Sequence, residues 1–207
     1  MRYAKANASM PFPDIAEQRV IFLGDSITDN WKLDEYFPGE GFINRGIGGQ
    51  VTEQMLARLR QDVIALNPSI VCFLGGTNDI ALGYSNEAIL SNIRSIAKQC
   101  RESGIRLIIS SILPISNYHK DREARRERSK LRPPARILAL NDGLRAIAVE
   151  EDADYLDLHT VLVDSSGQMP ADFSSDGLHP NSKAYGTMAP YILDAIGSVR
   201  RQRFNSL

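Results

Sequence analysis

Hydrophobic and polar positions along the chain form two kinds of segment. Short runs of four or five apolar residues end in glycine or polar residues, which is typical of buried strands. Longer segments carry apolar residues at intervals of three and four, which is typical of amphipathic helices. The two kinds alternate from one end of the chain to the other. This order predicts an α/β fold, a parallel sheet between two layers of helices.

Five segments have the strand pattern. They are residues 19–23, 41–44, 70–74, 106–112 and 155–158. The third is the most hydrophobic, which indicates a central strand covered on both faces. Five strands joined by right-handed crossovers fit the flavodoxin-like order 2-1-3-4-5.

The helical segments have clear stop signals. They are predicted at 51–66 before Pro68, at about 86–103 before Gly104, from Pro133-Pro134 to Ala148, and over a last segment that includes Tyr185 and Val199. Pro190 falls inside the last pattern and should kink that helix or divide it in two. We expect an irregular N-terminal arm at 1–18, a single domain at 19–200 and a tail at 201–207.

Composition and charge indicate the size of the domain and the kinds of molecule that the protein can bind. The 207 residues, of which 43% are hydrophobic, are enough for one α/β domain with a full core. The net charge is -1 and the isoelectric point is near 6.3. Because nucleic acid and anionic membranes favour a strongly basic surface, no binding to nucleic acid is expected.

Cysteine usage and hydropathy give further expectations. Cys72 and Cys100 each lie among apolar residues without a neighbouring Cys or His at ligand spacing, so we expect buried thiols, no disulfide, no metal and no cofactor. No stretch approaches the length of a membrane-spanning segment, and residues 1–14 lack a continuous apolar region. A cytoplasmic location is therefore expected, although a chain whose leader had been replaced by a new Met would have the same pattern.

Polar turns at 24–28, 44–50 and 75–79 each follow a predicted strand. The carboxyl ends of parallel strands share one edge of the sheet, so these turns should lie close together. Ser26, at the start of a helix whose backbone amides can stabilise a negative charge, is the candidate nucleophile. Gly-Asp-Ser alone is a weak signal, since Asp and Ser are also common turn and cap residues.

A nucleophilic serine needs a base. His179 is the best candidate, because Asp176 lies three residues earlier and can bind one imidazole nitrogen while the other faces Ser26. His159, which follows the fifth strand, and His119, in a charged segment, are the alternatives.

The candidate oxyanion donors are the backbone amides of Ser26 and Gly46 and the side-chain amide of Asn78. Each also has a structural interpretation, as a turn glycine or a helix cap. The glycine-rich loop is not a phosphate-binding loop of the G-x-x-x-x-G-K type, since no Lys follows. The order of these residues on successive strand ends favours a catalytic site.

Four sequence blocks together resemble those of the SGNH, or GDSL, hydrolases. The blocks are Gly24-Asp25-Ser26-Ile27-Thr28, Asn44-Arg45-Gly46, Gly76-Thr77-Asn78-Asp79 and Asp176-Gly177-Leu178-His179-Pro180. They occur in the family's order and span nearly the whole predicted domain.

The resemblance implies a three-layer α/β/α fold and metal-independent hydrolysis of esters or thioesters through an acyl-serine intermediate. It implies that Ser26 is the nucleophile, that Asp176 and His179 complete a triad, and that Gly46 and Asn78 serve the oxyanion. The family's substrates are diverse, so the natural small-molecule ester stays open. The alternatives are a carbohydrate O-acetylesterase, a non-catalytic ligand-binding module on the same fold, and a flavodoxin-like cofactor or phosphate binder.

The segment from Lys120 to Arg132 is the most charged, with seven basic and three acidic residues. One interpretation is a solvated helix with ion pairs at i,i+4 spacing. Because the segment follows the fourth strand, the other is a lid that recognises an anionic group of the substrate.

Overall fold

The computed structural model describes residues 2–13, 18–119 and 127–204. Its sheet has five parallel strands in the order β2-β1-β3-β4-β5. The strands are β1 Val20–Gly24, β2 Ile43–Gly46, β3 Ile70–Leu74, β4 Arg106–Ser110 and β5 Asp154–Leu156. The α/β/α fold and the strand order predicted from the hydrophobic pattern are confirmed.

The described part of the chain contains ten α-helices. They are α1 Ala4–Ala8, α2 Ser26–Asp29, α3 Leu33–Tyr36, α4 Thr52–Asp62, α5 Thr77–Ala81, α6 Asn86–Glu102, α7 Arg128–Leu131, α8 Pro134–Glu150, α9 Leu158–Val161 and α10 Ser182–Phe204. Single 3-10 turns lie at Ile64–Leu66 and Ala171–Phe173.

Each face of the sheet carries its own hydrophobic core. On one face the apolar sides of α4, α6 and α8 pack on the sheet, with Met55, Ile93 and Leu144 among their fully buried side chains. On the other face α10 packs with α2, α3 and α9, and Ile27 and Met188 belong to that core. The central strand β3 supplies side chains to both cores, which explains its continuous hydrophobic run.

Several predicted boundaries were wrong for identifiable reasons. β2 begins and ends two residues later than expected, because its pairing continues to Gly46 opposite Gly24 at the end of β1. β5 is shorter, because the Asp157 side chain accepts a hydrogen bond from the Thr160 amide and starts α9 there. The expected strand at 106–112 leaves the sheet after Ser110.

The ends of the chain also differ from expectation. The arm expected to be irregular contains α1, and α10 continues beyond residue 200 to Phe204. Pro190 does not divide α10. Pro190 and Gly186 are both on the exposed side of the helix, so water can satisfy the carbonyl that proline leaves without a donor.

Candidate active site

The turn after β1 presents Ser26 at the edge of the sheet. Asp25 caps α2 by accepting a hydrogen bond from the Ile27 amide at 2.9 Å, and Ser26 is the first residue of this helix. A Cβ at Gly24 would overlap Thr28 Oγ1 and the Leu74 carbonyl oxygen. Only glycine therefore allows α2 to fold back so closely over the ends of β1 and β3.

Three predicted site residues form one hydrogen-bonded line. Ser26 Oγ lies 3.0 Å from His179 Nε2, and His179 Nδ1 lies 2.7 Å from Asp176 Oδ2. The other carboxylate oxygen, Oδ1, accepts hydrogen bonds from the backbone amides of Leu178 and His179, each at 2.9 Å. The Asp-Gly-Leu-His turn is thus closed by its own carboxylate, and this closure orients the imidazole.

Hydrogen bonding determines the charge of Asp176. Burial favours the neutral carboxyl and by itself would raise its pKa. The hydrogen bonds from the His179 ring and from the His179 and Leu178 amides outweigh burial and hold the pKa of Asp176 well below its usual range. Asp176 is therefore a carboxylate at any pH at which the protein would work.

The two alternative histidines have contacts elsewhere. His119 Nε2 lies 2.7 Å from the Ser174 carbonyl oxygen and 3.2 Å from that of Ala171. The His159 amide donates to Ser111 Oγ at the start of α9, and burial lowers the pKa of the His159 ring. Of the three histidines, His179 is the one whose ring contacts Ser26.

Gly46 does not offer a free amide. Its N–H donates to Asn44 Oδ1 at 2.8 Å, and its carbonyl accepts a hydrogen bond from the Tyr3 hydroxyl. A Cβ at Gly46 would overlap the Asp29 backbone nitrogen. In this structure the Gly46 amide, predicted as an oxyanion donor, already has an acceptor, and Gly46 allows the end of β2 to lie against α2.

The next residues of the loop show where a free amide does lie. The Ile47 amide donates to the Gly24 carbonyl, the Gly48 amide to Asp29 Oδ2, and the Gln50 amide to the Ile47 carbonyl. Among the described residues, the Gly49 amide has no acceptor, and its φ of 79° is one that glycine adopts readily. The loop passes close to the serine, since a Cβ at Gly48 would lie 3.8 Å from Ser26 Cβ.

Sequence reasoning missed Gly49 because it ended β2 at residue 44. With β2 placed correctly, Gly46 is the last ladder residue, and the turn that follows is Ile47-Gly48-Gly49. The pair of glycines was the available signal, since two glycines in sequence often mark a backbone that a ligand approaches.

Asn78 lies in the first turn of α5 and faces this loop. Its Nδ2 donates to the Gln50 carbonyl at 3.0 Å, which uses one of its two hydrogens. Next to it, the fully buried Asp79 accepts hydrogen bonds from the Thr52 amide and hydroxyl. The start of α4 is thus fixed to α5, and Asn78 is held beside the loop that carries Gly49.

The charged segment lies only partly within the described residues. Lys120, Arg122, Arg125 and Arg126 lie outside them. Of the other basic residues, Lys130 is exposed and pairs with Glu127, whereas the side chains of Arg128 and Arg132 contact Asp176 and Thr77. Within the described part, the segment is thus neither a purely solvated helix nor a free basic surface.

Three further features of the described residues concern metal ligands, membrane spans and thiols. No three His, Cys, Asp or Glu side chains among them come together as a metal site would require. In the same part of the chain, no helix combines the length and hydropathy of a membrane span. Cys72 and Cys100 are free thiols and both are buried, as predicted.

Known proteins resemble this chain in sequence and in fold. The model of the GDSL-like Lipase/Acylhydrolase family matches residues 22–186, which include all four sequence blocks. A GDSL-like lipase from Bacteroides thetaiotaomicron VPI-5482 has a solved structure with a TM-score of 0.85 and 32% identity, covering 95% of this chain and 96% of that one. A solved acetylxylan esterase from Geobacillus stearothermophilus shares the fold, with a TM-score of 0.69 and 20% identity over 87% of this chain and 94% of that one.

Two curated relatives match over shorter stretches. An arylesterase from Vibrio mimicus is 26% identical over 119 residues, which is 51% of this chain and 60% of the relative. An uncharacterized lipoprotein of Bacillus subtilis (strain 168) is 28% identical over 118 residues, 46% of this chain and 49% of the relative. This chain thus spans about half the length of the curated relatives that it matches, and its cytoplasmic location stays a prediction. The match over residues 22–186, with the fold and the four blocks, shows that the chain belongs to the GDSL-like lipase/acylhydrolase family.

Proposed function

We propose that this protein is a serine esterase that cleaves carboxylic esters through an acyl-serine intermediate and without a metal ion. The observation that carries the proposal is the line from Asp176 through His179 to Ser26, with distances of 2.7 and 3.0 Å. These distances allow proton transfer along hydrogen bonds already formed without substrate.

In the proposed mechanism, Ser26 Oγ attacks the ester carbonyl carbon and His179 Nε2 accepts the hydroxyl proton. When the tetrahedral intermediate breaks down, His179 gives this proton to the departing alcohol oxygen. Water then attacks the acyl-serine with the same base, and the acid and Ser26 are released. Asp176 stays ionised, keeps the second imidazole proton on Nδ1 and stabilises the imidazolium.

We propose three donors for the oxyanion. They are the Ser26 amide, which has no acceptor among the described residues, the second hydrogen of Asn78 Nδ2, and the Gly49 amide. We propose Gly49 in place of Gly46, because an amide that already donates to Asn44 Oδ1 is not available to the substrate. Donors fixed before the substrate binds need little reorganisation as charge develops.

A carbohydrate O-acetylesterase is the second candidate. The observation that favours it is the fold that this chain shares with the solved acetylxylan esterase from Geobacillus stearothermophilus. The gap that Leu74, Ile112 and Leu113 line with Asp25 and Ile27 has no room for a water molecule, so it carries no argument about the length of the acyl group.

The first test is hydrolysis of p-nitrophenyl esters from acetate to laurate, without added metal. We expect activity that is lost in Ser26→Ala. A maximum at acetate would favour the O-acetylesterase, and a maximum at longer chains would favour an acylhydrolase of longer esters. Ser9→Ala is the matched control. The Ser9 hydroxyl donates hydrogen bonds to the Lys5 and Ala6 carbonyls of the N-terminal segment and takes no part in the Asp176–His179–Ser26 contacts. A folded protein without activity on any ester, including acetylated sugars, would favour a binding module instead.

A second test concerns the oxyanion donors. If Asn78 Nδ2 binds the oxyanion, Asn78→Ala should lower kcat by about 10²–10³-fold. Asn78→Asp, which has the same shape but no N–H donors, should be equally inactive. A kcat within twofold of wild type, with an unchanged melting temperature, would mean that the Asn78 side chain only binds the Gln50 carbonyl and does not act on the substrate.

A further inference from the structure

Arg128, the first residue of α7, contacts Asp176 at two places. Its Nε donates to the Asp176 backbone carbonyl and its Nη2 to the carboxylate oxygen Oδ2, both at 2.9 Å. Oδ2 is the same oxygen that accepts from His179 Nδ1. The planar guanidinium therefore fixes both the backbone and the carboxylate of Asp176, which a single point charge cannot do.

Arg132, directly after α7, reaches the opposite side of the site. Its Nε donates to the carbonyl and hydroxyl of Thr77 at 3.1 and 3.0 Å, and its Nη2 approaches Asn78 Oδ1 at 3.5 Å. The side chain is buried, at 5% exposed. Within the described ranges no Asp or Glu forms an ion pair with it, so its hydrogen-bonding capacity is used on the first turn of α5.

The contact with Asn78 has a directional consequence. An asparagine amide has two nearly equivalent orientations, related by a half-turn of the side chain. A cation beside Oδ1 favours the orientation that turns Nδ2 away from it. Nδ2 then lies on the side of the Gln50 carbonyl and of the proposed oxyanion.

We infer that Arg128 and Arg132 are positioning residues. Through them, α7 connects Asp176 of the proposed triad with Asn78, the proposed oxyanion donor. The inference rests on the proposed esterase function. Arg128 acts through Asp176 and Arg132 acts through Asn78, and neither touches the reacting atoms. The four-residue spacing places both arginines on one face of the helical turn, whereas Lys130 between them is exposed and pairs with Glu127.

The test is a pair of double-mutant cycles on p-nitrophenyl acetate, with kcat and KM measured separately. One cycle combines Arg128→Ala with Asp176→Asn, and the other combines Arg132→Ala with Asn78→Ala. Crossed pairs, Arg128→Ala with Asn78→Ala and Arg132→Ala with Asp176→Asn, are the internal comparison. Lys130→Ala, on the same helix but facing solvent, is the matched control and should behave as wild type.

We expect each arginine variant to lower kcat by about tenfold or more, with KM changed less than twofold. Where Asp176 or Asn78 has already been replaced, the substitution of its partner arginine should have a clearly smaller effect on kcat than in wild type, although Arg128 keeps its contact with the Asp176 carbonyl. In the crossed background each substitution should keep its full effect. Arg128→Lys should restore part of the loss, since lysine keeps the charge but not the two-pronged geometry.

Two results would overturn the inference. One is a kcat within twofold of wild type in both arginine variants. The other is an equal loss in the partner and the crossed backgrounds, which would indicate a general structural effect. If an alanine variant does not fold, the lysine variants enter the same cycles with the same criteria. An inactive wild-type enzyme would contradict the proposed function and is distinguishable from either result.

Discussion

Asp25, the residue before the proposed nucleophile, is a fully buried carboxyl group with an incomplete set of hydrogen bonds. Its Oδ1 accepts from the Ile27 amide, but its Oδ2 has no partner among the described residues. Burial raises the pKa of Asp25 to about 6, although the Ile27 hydrogen bond and the nearby His179 act in the opposite direction. At neutral pH the folded protein thus holds an incompletely compensated charge beside its site.

Asp25→Asn should therefore change the pH dependence of stability. The folded protein binds a proton at Asp25 below about pH 6, whereas the unfolded chain does so only near the ordinary aspartate pKa of 3.8. Ionised Asp25 lowers the free energy of unfolding above pH 6 by on the order of 3 kcal/mol, and this penalty disappears toward pH 4. The melting temperature of Asp25→Asn relative to wild type should rise between pH 4.5 and pH 8. An equal difference at both pH values would contradict the raised pKa.

At the scale of elements, the site depends on how closely β2 and α2 approach each other. Gly46 ends β2 against the Asp29 backbone, and Asn44 Nδ2 donates to the Thr28 and Trp31 carbonyls. The N-terminal segment reinforces this junction, because Arg2 forms two hydrogen bonds to Asp29, whose Oδ2 also accepts from the Gly48 amide. The segment predicted to be an irregular arm thus supports the loop that carries Gly49.

Gly46→Ala should lower the free energy of unfolding by about 1–3 kcal/mol, because the new Cβ forces β2 and α2 apart. Gly48→Ala is the matched control, since its Cβ would meet its nearest atoms at ordinary contact distances of 3.6 and 3.8 Å. Urea unfolding of both variants measures the difference. Equal stability would show that the junction tolerates a side chain and that the glycine serves another purpose.

For the whole molecule, one sheet connects two cores that each contain a cysteine. Cys100 belongs to the core under α4, α6 and α8, and Cys72 to the core under α10. Burial raises the pKa of both thiols, to about 12 for Cys100. Each thiol therefore becomes reactive only when its own side of the sheet opens.

This arrangement makes thiol labelling a test of the predicted single domain. In native conditions neither thiol should react with a disulfide reagent on the time scale of minutes, and in denaturant both should react. Because the strands contribute to both cores, Cys72→Ala and Cys100→Ala should show the same urea dependence of labelling for the remaining thiol. Two separate midpoints would mean that the two helical layers unfold independently.

The sequence by itself predicted the strands, the two helical layers and the loops that hold the candidate residues, because hydrophobic periodicity and turn residues act locally. The preference for right-handed crossovers then favoured the strand order. The sequence also indicated Ser26, Asp176, His179 and Asn78, since these residues follow strand ends or share one short turn. The distances that join them exist only once residues separated by up to 153 positions meet at one sheet edge.

Tertiary structure decided what local patterns do not contain. The register of β2 against β1 placed Gly46 inside the ladder and left Gly49 with the free amide. Packing after β4 turned Arg128 and Arg132 inward, although their sequence context is typical of a solvated surface. The two arginines find acceptors 48 and 55 positions away, and only the folded chain brings those partners within reach.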